Sequence, residues 1–313
     1  MALLRCAVIG VGYLGKFHAQ KYAKIPECQL VAVVDSRREQ SEAVAGPLGC
    51  AALTDYRALI GQVDAVSIVV PTQGHYDVCA EFLRAGVHVL VEKPMTSTLD
   101  QADELIRLAK ENKCVLAVGH LERFNPAALA LEPLLSNPRF IDSSRLAPFK
   151  PRATDVSVLL DLMIHDVDLI LSLVDSELES VECSGARVLT SDIDIANARI
   201  RFSNGCVANV TASRVSAKSE RKMRVFQEKA CHSLDFQART LTTYRGANTP
   251  LADFEQSIER HEQSFGEADP LFAEILDFVE SIRNGRPPKV SGEAGRRALE
   301  AVHRITEATR LIS

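Results

Sequence analysis

A glycine-rich segment near the start of the chain has the residue types that phosphate binding needs. Gly10-Val11-Gly12-Tyr13-Leu14-Gly15 fits G-x-G-x-x-G and lies between an apolar run at residues 4–9 and a helical pattern. Glycines there permit a tight turn and close approach of the backbone to a pyrophosphate, which the following helix N-terminus also attracts. Asp35 follows the next apolar run, where a carboxylate can bind a ribose diol. Together these features predict a dinucleotide site.

The choice between NAD and NADP depends on the residues around Asp35. Its carboxylate would repel the 2′-phosphate of NADP, which favours NAD. Ser36, Arg37 and Arg38 follow at once and could offset that repulsion, or they could simply be a solvated helix start. NAD is therefore the expected cofactor, and NADP stays open.

A lysine follows another apolar run in the same half of the chain. Glu92-Lys93-Pro94 comes directly after residues 87–91, which have the composition of a buried parallel strand. Lys93 is therefore expected at the carboxyl edge of the sheet, where ligands of such folds bind. A single lysine at a strand end is usually only a surface charge, so this feature needs support from elsewhere.

That support comes from a polar stripe in the second half of the chain. Asp161, His165, Asp168 and Ser172 fall within about 60° of one another on a helix of otherwise apolar residues. Enclosed polar groups must find partners or take part in chemistry. A hydrogen-bonded structural stripe is the alternative, and the presence of Lys93 favours catalysis.

The elements that position these residues differ between the two halves. Residues 1–120 alternate short apolar runs with helical patterns, which predicts a dinucleotide-binding α/β domain with a doubly wound parallel sheet, the Rossmann arrangement. Residues 121–313 contain a helix near residues 155–174, alternating strands around a turn at Ser203-Asn204-Gly205, and two closing helices. They predict an α+β substrate-binding and oligomerisation domain on a largely antiparallel open sheet. The parallel strands are expected at residues 4–9, 30–34, 65–70, 87–91 and 115–118.

Composition limits the function classes. The 313 residues are enough for two domains, and a net charge of −5 provides no basic excess for nucleic acid. The one stretch of membrane-spanning length, residues 156–174, carries three aspartates, each costing about 2.5 to 3.5 kcal/mol at a bilayer centre. No charged leader precedes an apolar segment, and the eight cysteines have no metal-ligand spacing. We expect a cytoplasmic protein with reduced thiols, no bound metal, no membrane and a small-molecule partner.

The motifs described above together resemble those of the glucose-fructose oxidoreductase/inositol dehydrogenase family (Gfo/Idh/MocA). The resemblance extends along essentially the whole chain. The resemblance implies that Lys93 and His165 flank the nicotinamide and the reacting carbinol, with Asp161 as a third catalytic residue, and that a cis peptide precedes Pro94. It also implies that Pro71, Thr72, His75 and Glu92 join the cofactor site. The matching pieces are the glycine segment, Asp35, Pro71-Thr72-Gln73-Gly74-His75, Glu92-Lys93-Pro94 and Asp161-x-x-x-His165.

Three segments resemble a narrower group, the enzymes that oxidise the 3-hydroxyl of UDP-N-acetylglucosamine. They are residues 118–126, 161–166 and 202–214. The resemblance implies a nucleotide-sugar substrate, and polar side chains near these segments are candidates to bind it. The substrate-binding candidates are Arg123, Asn125, Arg152, Asp161 and His165, followed by Arg145, Lys150, Asn209 and Arg214. Each of the basic and amide residues could instead be an ordinary surface or sheet-face residue.

Two other functions remain open on the sequence alone. One is a dehydrogenase of another sugar or an inositol within the same family. The other is a non-catalytic nicotinamide-binding sensor, against which the intact Lys93 and His165 argue. Family resemblance also implies a homodimer or homotetramer, paired through the half-covered second sheet.

Overall fold

The computed structural model describes residues 2–150, 157–246 and 258–312, and the chain forms two compact units. The first unit comprises Met1–Leu121 and Asp269–Arg296, and the second comprises Glu122–Ala268 and Arg297–Ser313. The sequence prediction, a single division after residue 120, assigns all of residues 121–313 to the second domain. The segment Asp269–Arg296 instead belongs to the first unit, because the apolar face of its helix packs into the first core.

The first unit is built on a six-stranded parallel sheet with the order β3-β2-β1-β4-β5-β6. The predicted doubly wound parallel sheet is therefore confirmed. The three-residue strand β3 was not predicted, because a segment of three residues is too short to show a periodic pattern of apolar residues. The strands are β1 (Leu4–Ile9), β2 (Cys28–Val34), β3 (Ala51–Leu53), β4 (Ala65–Ile68), β5 (His88–Glu92) and β6 (Leu116–Gly119).

Helices cover this sheet, and their ends follow local rules. The Thr98 hydroxyl accepts the Gln101 N–H at the start of α4, and the Asp269 carboxylate accepts the Phe272 N–H at the start of α7. Leu271, Ile275 and Phe278 of α7 are buried in the core of the first unit. The helices are α1 (Gly15–Tyr22), α2 (Arg38–Leu48), α3 (His75–Arg84), α4 (Leu99–Glu111) and α7 (Pro270–Asn284).

The second unit is built on a nine-stranded sheet with the order β14-β13-β12-β11-β7-β10-β9-β8-β15. Among the described strands, β7 with β10 and β8 with β15 pair parallel and the other neighbours pair antiparallel, which confirms a largely antiparallel sheet. The strands are β7 (Phe140–Leu146), β8 (Leu178–Ala186), β9 (Ile195–Phe202), β10 (Val207–Ser213), β11 (Glu220–Gln227), β12 (Ala230–Asp235), β13 (Thr240–Gly246), β14 (Ile258–Ser264) and β15 (Thr309–Leu311).

The predicted hairpin at Ser203-Asn204-Gly205 is confirmed. Strands β9 and β10 pair antiparallel around it, and Gly205 has a φ of +87°, which glycine adopts without strain. The alternating residues Ala198, Ile200 and Val210 are buried on the covered face of the sheet.

The helices of the second unit differ from the sequence prediction in two places. The helix expected near residues 155–174 begins with a π-helical turn (Leu159–Met163) and continues as α6 (Ile164–Leu173). The last helix, which the sequence predicts over about residues 291–312, is α8 (Gly292–Ala308), and it ends earlier because the chain enters β15. A short helix, α5 (Pro126–Leu131), follows Asn125, and the boundary between the two units falls within α8.

Candidate active site

The glycine segment forms the turn between β1 and α1, and its three glycines meet different constraints. Gly10 has a φ of +85°, and a Cβ there would lie 2.7 Å from the Val69 carbonyl oxygen. A Cβ on Gly15 would lie 1.8 Å from the Gly10 carbonyl oxygen. By contrast, a Cβ on Gly12 would meet no described atom within 4 Å. Gly10 and Gly15 thus make the turn possible, and Gly12 leaves the space over it open for a phosphate.

Asp35 follows β2 and faces this turn. Its carboxylate accepts the Val11 N–H at 3.2 Å and the Arg37 N–H at 3.0 Å. These two bonds fix the orientation of the carboxylate and leave lone pairs for further donors such as ribose hydroxyls. The Arg37 side chain is largely exposed, with its Nε 3.8 Å from the Asp35 carboxylate.

A cleft of about 790 Å³ opens beside the turn, within the first unit. It contains six of the predicted cofactor residues: Gly10, Gly12, Asp35, Ser36, Arg37 and Pro71. Residues Thr54, Asp55, Tyr56 and Arg57 line it as well, and sequence reasoning missed them. They follow β3, which lies beside β2 in parallel, so recognising that strand would have placed them at the same sheet edge.

The other predicted cofactor residues lie outside the lining of this cleft. Leu14 directly precedes α1, and Thr72 opens a short 3₁₀ turn before α3. Tyr13 is 74% exposed, lies edge-on to Phe17, and has the Lys16 ammonium 5.5 Å from its ring centroid.

His75 is buried at the start of α3 and bridges two backbone carbonyls. Its Nδ1 lies 2.9 Å from the Pro94 oxygen and its Nε2 lies 2.9 Å from the Val70 oxygen. Burial lowers the pKa of His75, and the two carbonyls and the charge of Glu92 act in the opposite direction. The ring thus ties the segment after β4 to the turn after β5.

Glu92 and Lys93 end β5 at the carboxyl edge of the sheet. The Lys93-Pro94 peptide is cis, as the family resemblance implied. Glu92 accepts a hydrogen bond from the Lys93 N–H at 3.3 Å and lies 3.1 Å from Nε2 of the buried His18. Sequence reasoning missed His18, because one histidine in a helix carries no signal of its own.

The polar stripe of the second unit is only partly enclosed. Asp161 lies in the π-helical turn and His165 in α6, and both are half-buried. Asp168 is buried, whereas Ser172 is exposed and donates its hydroxyl to the Leu169 carbonyl at 2.6 Å. Placing Ser172 in an enclosed stripe was therefore wrong, because its side chain is exposed although its neighbours Leu171 and Leu173 are buried.

Asp166 is the fully buried carboxylate of α6, and it holds a residue expected to bind diphosphate. Arg145 of β7 donates through Nε to Asp166 at 2.5 Å and through Nη1 to Glu122 at 2.9 Å. Burial alone would lower the pKa of Arg145, but the charges of Asp166 and Glu122 raise it. The guanidinium is 3% exposed and serves this internal cluster, which corrects its assignment as a diphosphate ligand.

Several of the remaining substrate candidates also have internal roles. Arg214 is buried and donates to Asp194 at 2.9 Å, and Asn209 accepts from Arg199 at 2.9 Å. Asn125 caps α5 and donates to the Phe236 carbonyl at 3.2 Å. Lys150 is exposed, and Arg152 lies outside the described residues.

Arg123 differs from these residues. It is 9% exposed, and its Nε lies 3.7 Å from the Asp168 carboxylate. Within the described ranges, its Nε and Nη1 have no hydrogen-bond partner. Arg123 is thus a buried cation of the second unit whose Nε and Nη1 groups can donate hydrogen bonds to a ligand.

The described residues lack two kinds of feature. They contain no group of three or more histidine, cysteine or acidic residues placed to hold a metal ion. No described helix has the length and apolar composition needed to cross a bilayer.

The fold and the glycine turn define a dinucleotide-binding protein, and comparison with known proteins identifies its family as one of oxidoreductases. Residues 4–120 match the model of the Gfo/Idh/MocA oxidoreductase family, NAD-binding Rossmann fold, and residues 137–232 match that of the Gfo/Idh/MocA C-terminal domain. The chain belongs to the Gfo/Idh/MocA family, and its first unit contains the family's NAD-binding domain.

Individual relatives cover nearly the whole chain. It is 43% identical to the UDP-N-acetylglucosamine 3-dehydrogenase of Acidithiobacillus ferrooxidans, over 98% of both chains. It is 29% identical to the scyllo-inositol 2-dehydrogenase (NAD(+)) of Bacillus subtilis, over 92% of this chain and 89% of the relative. A solved structure of the Acidithiobacillus enzyme matches with a TM-score of 0.92 and 42% identity, covering 99% of this chain and 98% of that one.

Proposed function

We propose that this protein oxidises the 3-hydroxyl of UDP-N-acetylglucosamine to a ketone with NAD as the hydride acceptor. The observation that carries the proposal is the 43% identity, extending over 98% of both chains, to an enzyme of that name. The inositol dehydrogenases among the relatives are less similar, at 29% identity for the enzyme from Bacillus subtilis. They supply the alternative, a dehydrogenase of a free polyol.

The residues of the first unit fit the cofactor. Gly12 leaves open the space that a Cβ would fill, and the Asp35 carboxylate is oriented beside the same turn. When bound, NAD accepts a hydride from the sugar carbon at C4 of its nicotinamide. Asp35 would bind the adenosine ribose diol and disfavour a 2′-phosphate, which supports NAD over NADP.

Three residues are proposed to act on the sugar hydroxyl. His165 takes its proton as general base, since a neutral imidazole is suited to this near pH 7. Lys93 donates a hydrogen bond to the oxygen as negative charge develops and then to the carbonyl. Asp161 orients His165 or binds a neighbouring hydroxyl. The proton leaves to solvent through His165 after the hydride has been transferred.

A diphosphate substrate needs cationic or N–H donors. With Arg145 and Arg214 in internal ion pairs, we propose that Arg123 is the principal cation, with Asn125, Lys150 and Arg152 as secondary candidates. The nucleotide also supplies binding energy remote from the reacting carbon, which can hold the 3-hydroxyl in position. Free N-acetylglucosamine should therefore turn over far more slowly.

Mass spectrometry of the product tests the proposal. The protein is incubated with NAD, UDP-N-acetylglucosamine deuterated at C3, and an excess of oxidant that regenerates NAD. The required outcome is a keto product whose change is confined to the sugar, with the deuterium in NADH before regeneration. Preferential oxidation of scyllo-inositol or of free N-acetylglucosamine would contradict the proposed substrate.

We also propose a cytoplasmic homodimer or homotetramer. All eight cysteines are free thiols, as in a reducing compartment. The outer face of the nine-stranded sheet carries polar and aromatic side chains, including the packed rings of Phe140 and Phe226, and offers a surface for a second copy. Light scattering with size-exclusion chromatography measures the mass, and a monomer at micromolar concentration would contradict the assembly.

A further inference from the structure

His18 is a buried histidine that the proposed reaction does not use. It lies on α1, three residues after the last glycine of the phosphate turn, and is fully buried. Its Nε2 is 3.1 Å from Oε1 of Glu92, and its Nδ1 has no hydrogen-bond partner among the described residues. Because Nε2 is the ring nitrogen that lies against Glu92, it is the atom that donates a hydrogen bond to the carboxylate.

The Glu92 carboxylate is also enclosed from the neighbouring strand. Glu92 of β5 pairs with Gly119 of β6, and a Cβ on Gly119 would lie 2.8 Å from Oε1 of Glu92. On the third side, Glu92 accepts the N–H of Lys93. Helix α1, the end of β6 and the start of the Lys93-Pro94 turn thus meet at one carboxylate.

The charge of this carboxylate is maintained inside the fold. Burial alone would raise the pKa of Glu92, but the hydrogen bond and charge of His18 and the charge of Lys93 lower it. His75 of α3 is a further titratable group that feels the charge of Glu92. An ionised Glu92 in turn favours the ammonium form of Lys93.

We propose that His18 is a positioning residue for Lys93, acting through the Glu92 carboxylate. The hydrogen bond from His18 keeps Glu92 ionised and fixed against Gly119, and Glu92 then holds the backbone and the charge of Lys93. Because His18 and the phosphate turn share α1, the same helix serves the cofactor and the lysine. The inference rests on the catalytic role proposed for Lys93.

The central variant is His18→Leu, which removes the hydrogen-bond donor and replaces it with an apolar side chain of similar volume. His18→Gln retains an N–H donor and should rescue part of the effect. His88→Leu is the matched control, because His88 is a partly buried histidine at the opposite end of the same strand, bonded to the Val115 N–H at 2.8 Å. Glu92→Gln completes a double-mutant cycle with His18→Leu.

The first measurement needs no sugar. Trace acetylation of the folded protein, read by mass spectrometry of the Lys93 peptide, reports the fraction of free amine. In His18→Leu, we expect Lys93 to be acetylated about 3- to 10-fold faster near neutral pH, because Glu92 loses charge and the ammonium is then less favoured. The control should match the wild type, and His18→Leu should add nothing in the Glu92→Gln background.

The second measurement is the pH dependence of kcat/KM. Removing the donor raises the pKa of Glu92, so the acid limb of the kcat/KM profile should move to higher pH. We also expect kcat to fall by about 10-fold and NAD affinity to change little. If His18→Leu does not fold, Gly119→Ala tests the same link by displacing the carboxylate.

Three results would overturn the proposal. The first is an unchanged rate of Lys93 acetylation in His18→Leu. The second is full additivity of His18→Leu and Glu92→Gln in their effects on that rate, because the two residues would then act on Lys93 independently. The third is a loss of stability in His18→Leu with an unchanged pH profile, which would make His18 a purely structural residue. A wrong substrate would appear differently, as absent wild-type turnover with the acetylation pattern intact.

Discussion

The two units use their buried charges in different ways. In the first unit, the Glu92 carboxylate lies at a strand end, bound by His18 and by the backbone of Lys93. In the second, the Asp166 and Glu122 carboxylates are paired with Arg145, and Arg221 lies 3.7 Å from Glu122, so the charges balance within the domain. A charged residue near a proposed site is therefore not a ligand by virtue of its type. Its partners decide whether its charge is available to a ligand.

This difference in the use of buried charge predicts two different effects of mutation, one on stability and one on turnover. Breaking an internal ion pair leaves an uncompensated buried charge and lowers the free energy of unfolding. Removing a group whose charge serves the reaction lowers turnover and leaves the fold intact. Four predictions test whether this division holds.

The largest effect on turnover should come from the two residues proposed for proton transfer and charge stabilisation. Lys93→Met and His165→Asn should each lower kcat by about 100-fold or more, the usual size of acid–base effects, while NAD affinity and the unfolding midpoint stay near wild-type values. Steady-state kinetics with a cofactor titration and a thermal unfolding curve measure these quantities. Near-normal turnover in both variants would move the chemistry elsewhere in the protein.

An internal pair should show the opposite signature. Arg145→Met should lower the free energy of unfolding by about 3 to 5 kcal/mol, because Asp166 and Glu122 lose their buried cation. The matched control is Arg224→Met, which removes an exposed arginine paired with Asp142 and should cost less than about 1 kcal/mol. Denaturant titration of both variants measures the difference. Equal losses would mean that burial does not distinguish the two pairs.

Substitutions of two glycines in the phosphate turn should distinguish an effect on NAD binding from an effect on the stability of the fold. Gly12→Ala meets open space, so stability should be unchanged while NAD affinity falls by about 10-fold or more, because the methyl group occupies the space of a phosphate. Gly15→Ala should lower stability as well, since its Cβ would collide with the Gly10 carbonyl. Cofactor fluorescence and thermal unfolding read the two effects. Normal NAD binding by Gly12→Ala would remove the turn from the phosphate site.

The smallest effect concerns cofactor choice. Asp35→Ala should narrow the preference for NAD over NADP by about 10-fold, mainly by weakening NAD, because the variant loses the acceptor of the ribose hydroxyls and the repulsion of a 2′-phosphate. Fluorescence titrations with both cofactors give the ratio. Tighter binding of NADPH by the unmodified protein would instead assign Arg37 and Arg38 to the phosphate.

The first sheet could be predicted well because its signals are local. The glycine segment and Asp35 lie directly after an apolar run, and Lys93 lies one residue after another, so adjacency in sequence already places them at one sheet edge. What could not be predicted was β3, a strand of three residues, and with it the cleft residues that follow. The partner of Glu92 was also hidden, since His18 lies 74 residues away in the chain.

In the second unit, the features that depend on pairing between distant strands could not be predicted from the sequence. Strand β7 pairs in parallel with β10, which lies far along the chain, and so brings Arg145 under α6. The π-helical turn has no sequence signal in a segment that is apolar on nearly every side. Because the turn changes the angular spacing, a stripe drawn at α-helical angles does not fix the position of Asp161 relative to His165.

The return of Asp269–Arg296 to the first unit has a consequence for synthesis on the ribosome. The nucleotide-binding half is the first to emerge, yet Leu271, Ile275 and Phe278, which complete its core, emerge only after the whole nine-stranded region except its last strand. Until then, an apolar face of the nascent domain stays uncovered and open to chaperones or to misassociation. A fragment ending at Leu121 would carry the same defect permanently, so the cofactor domain of this protein is best expressed with its distant helix attached.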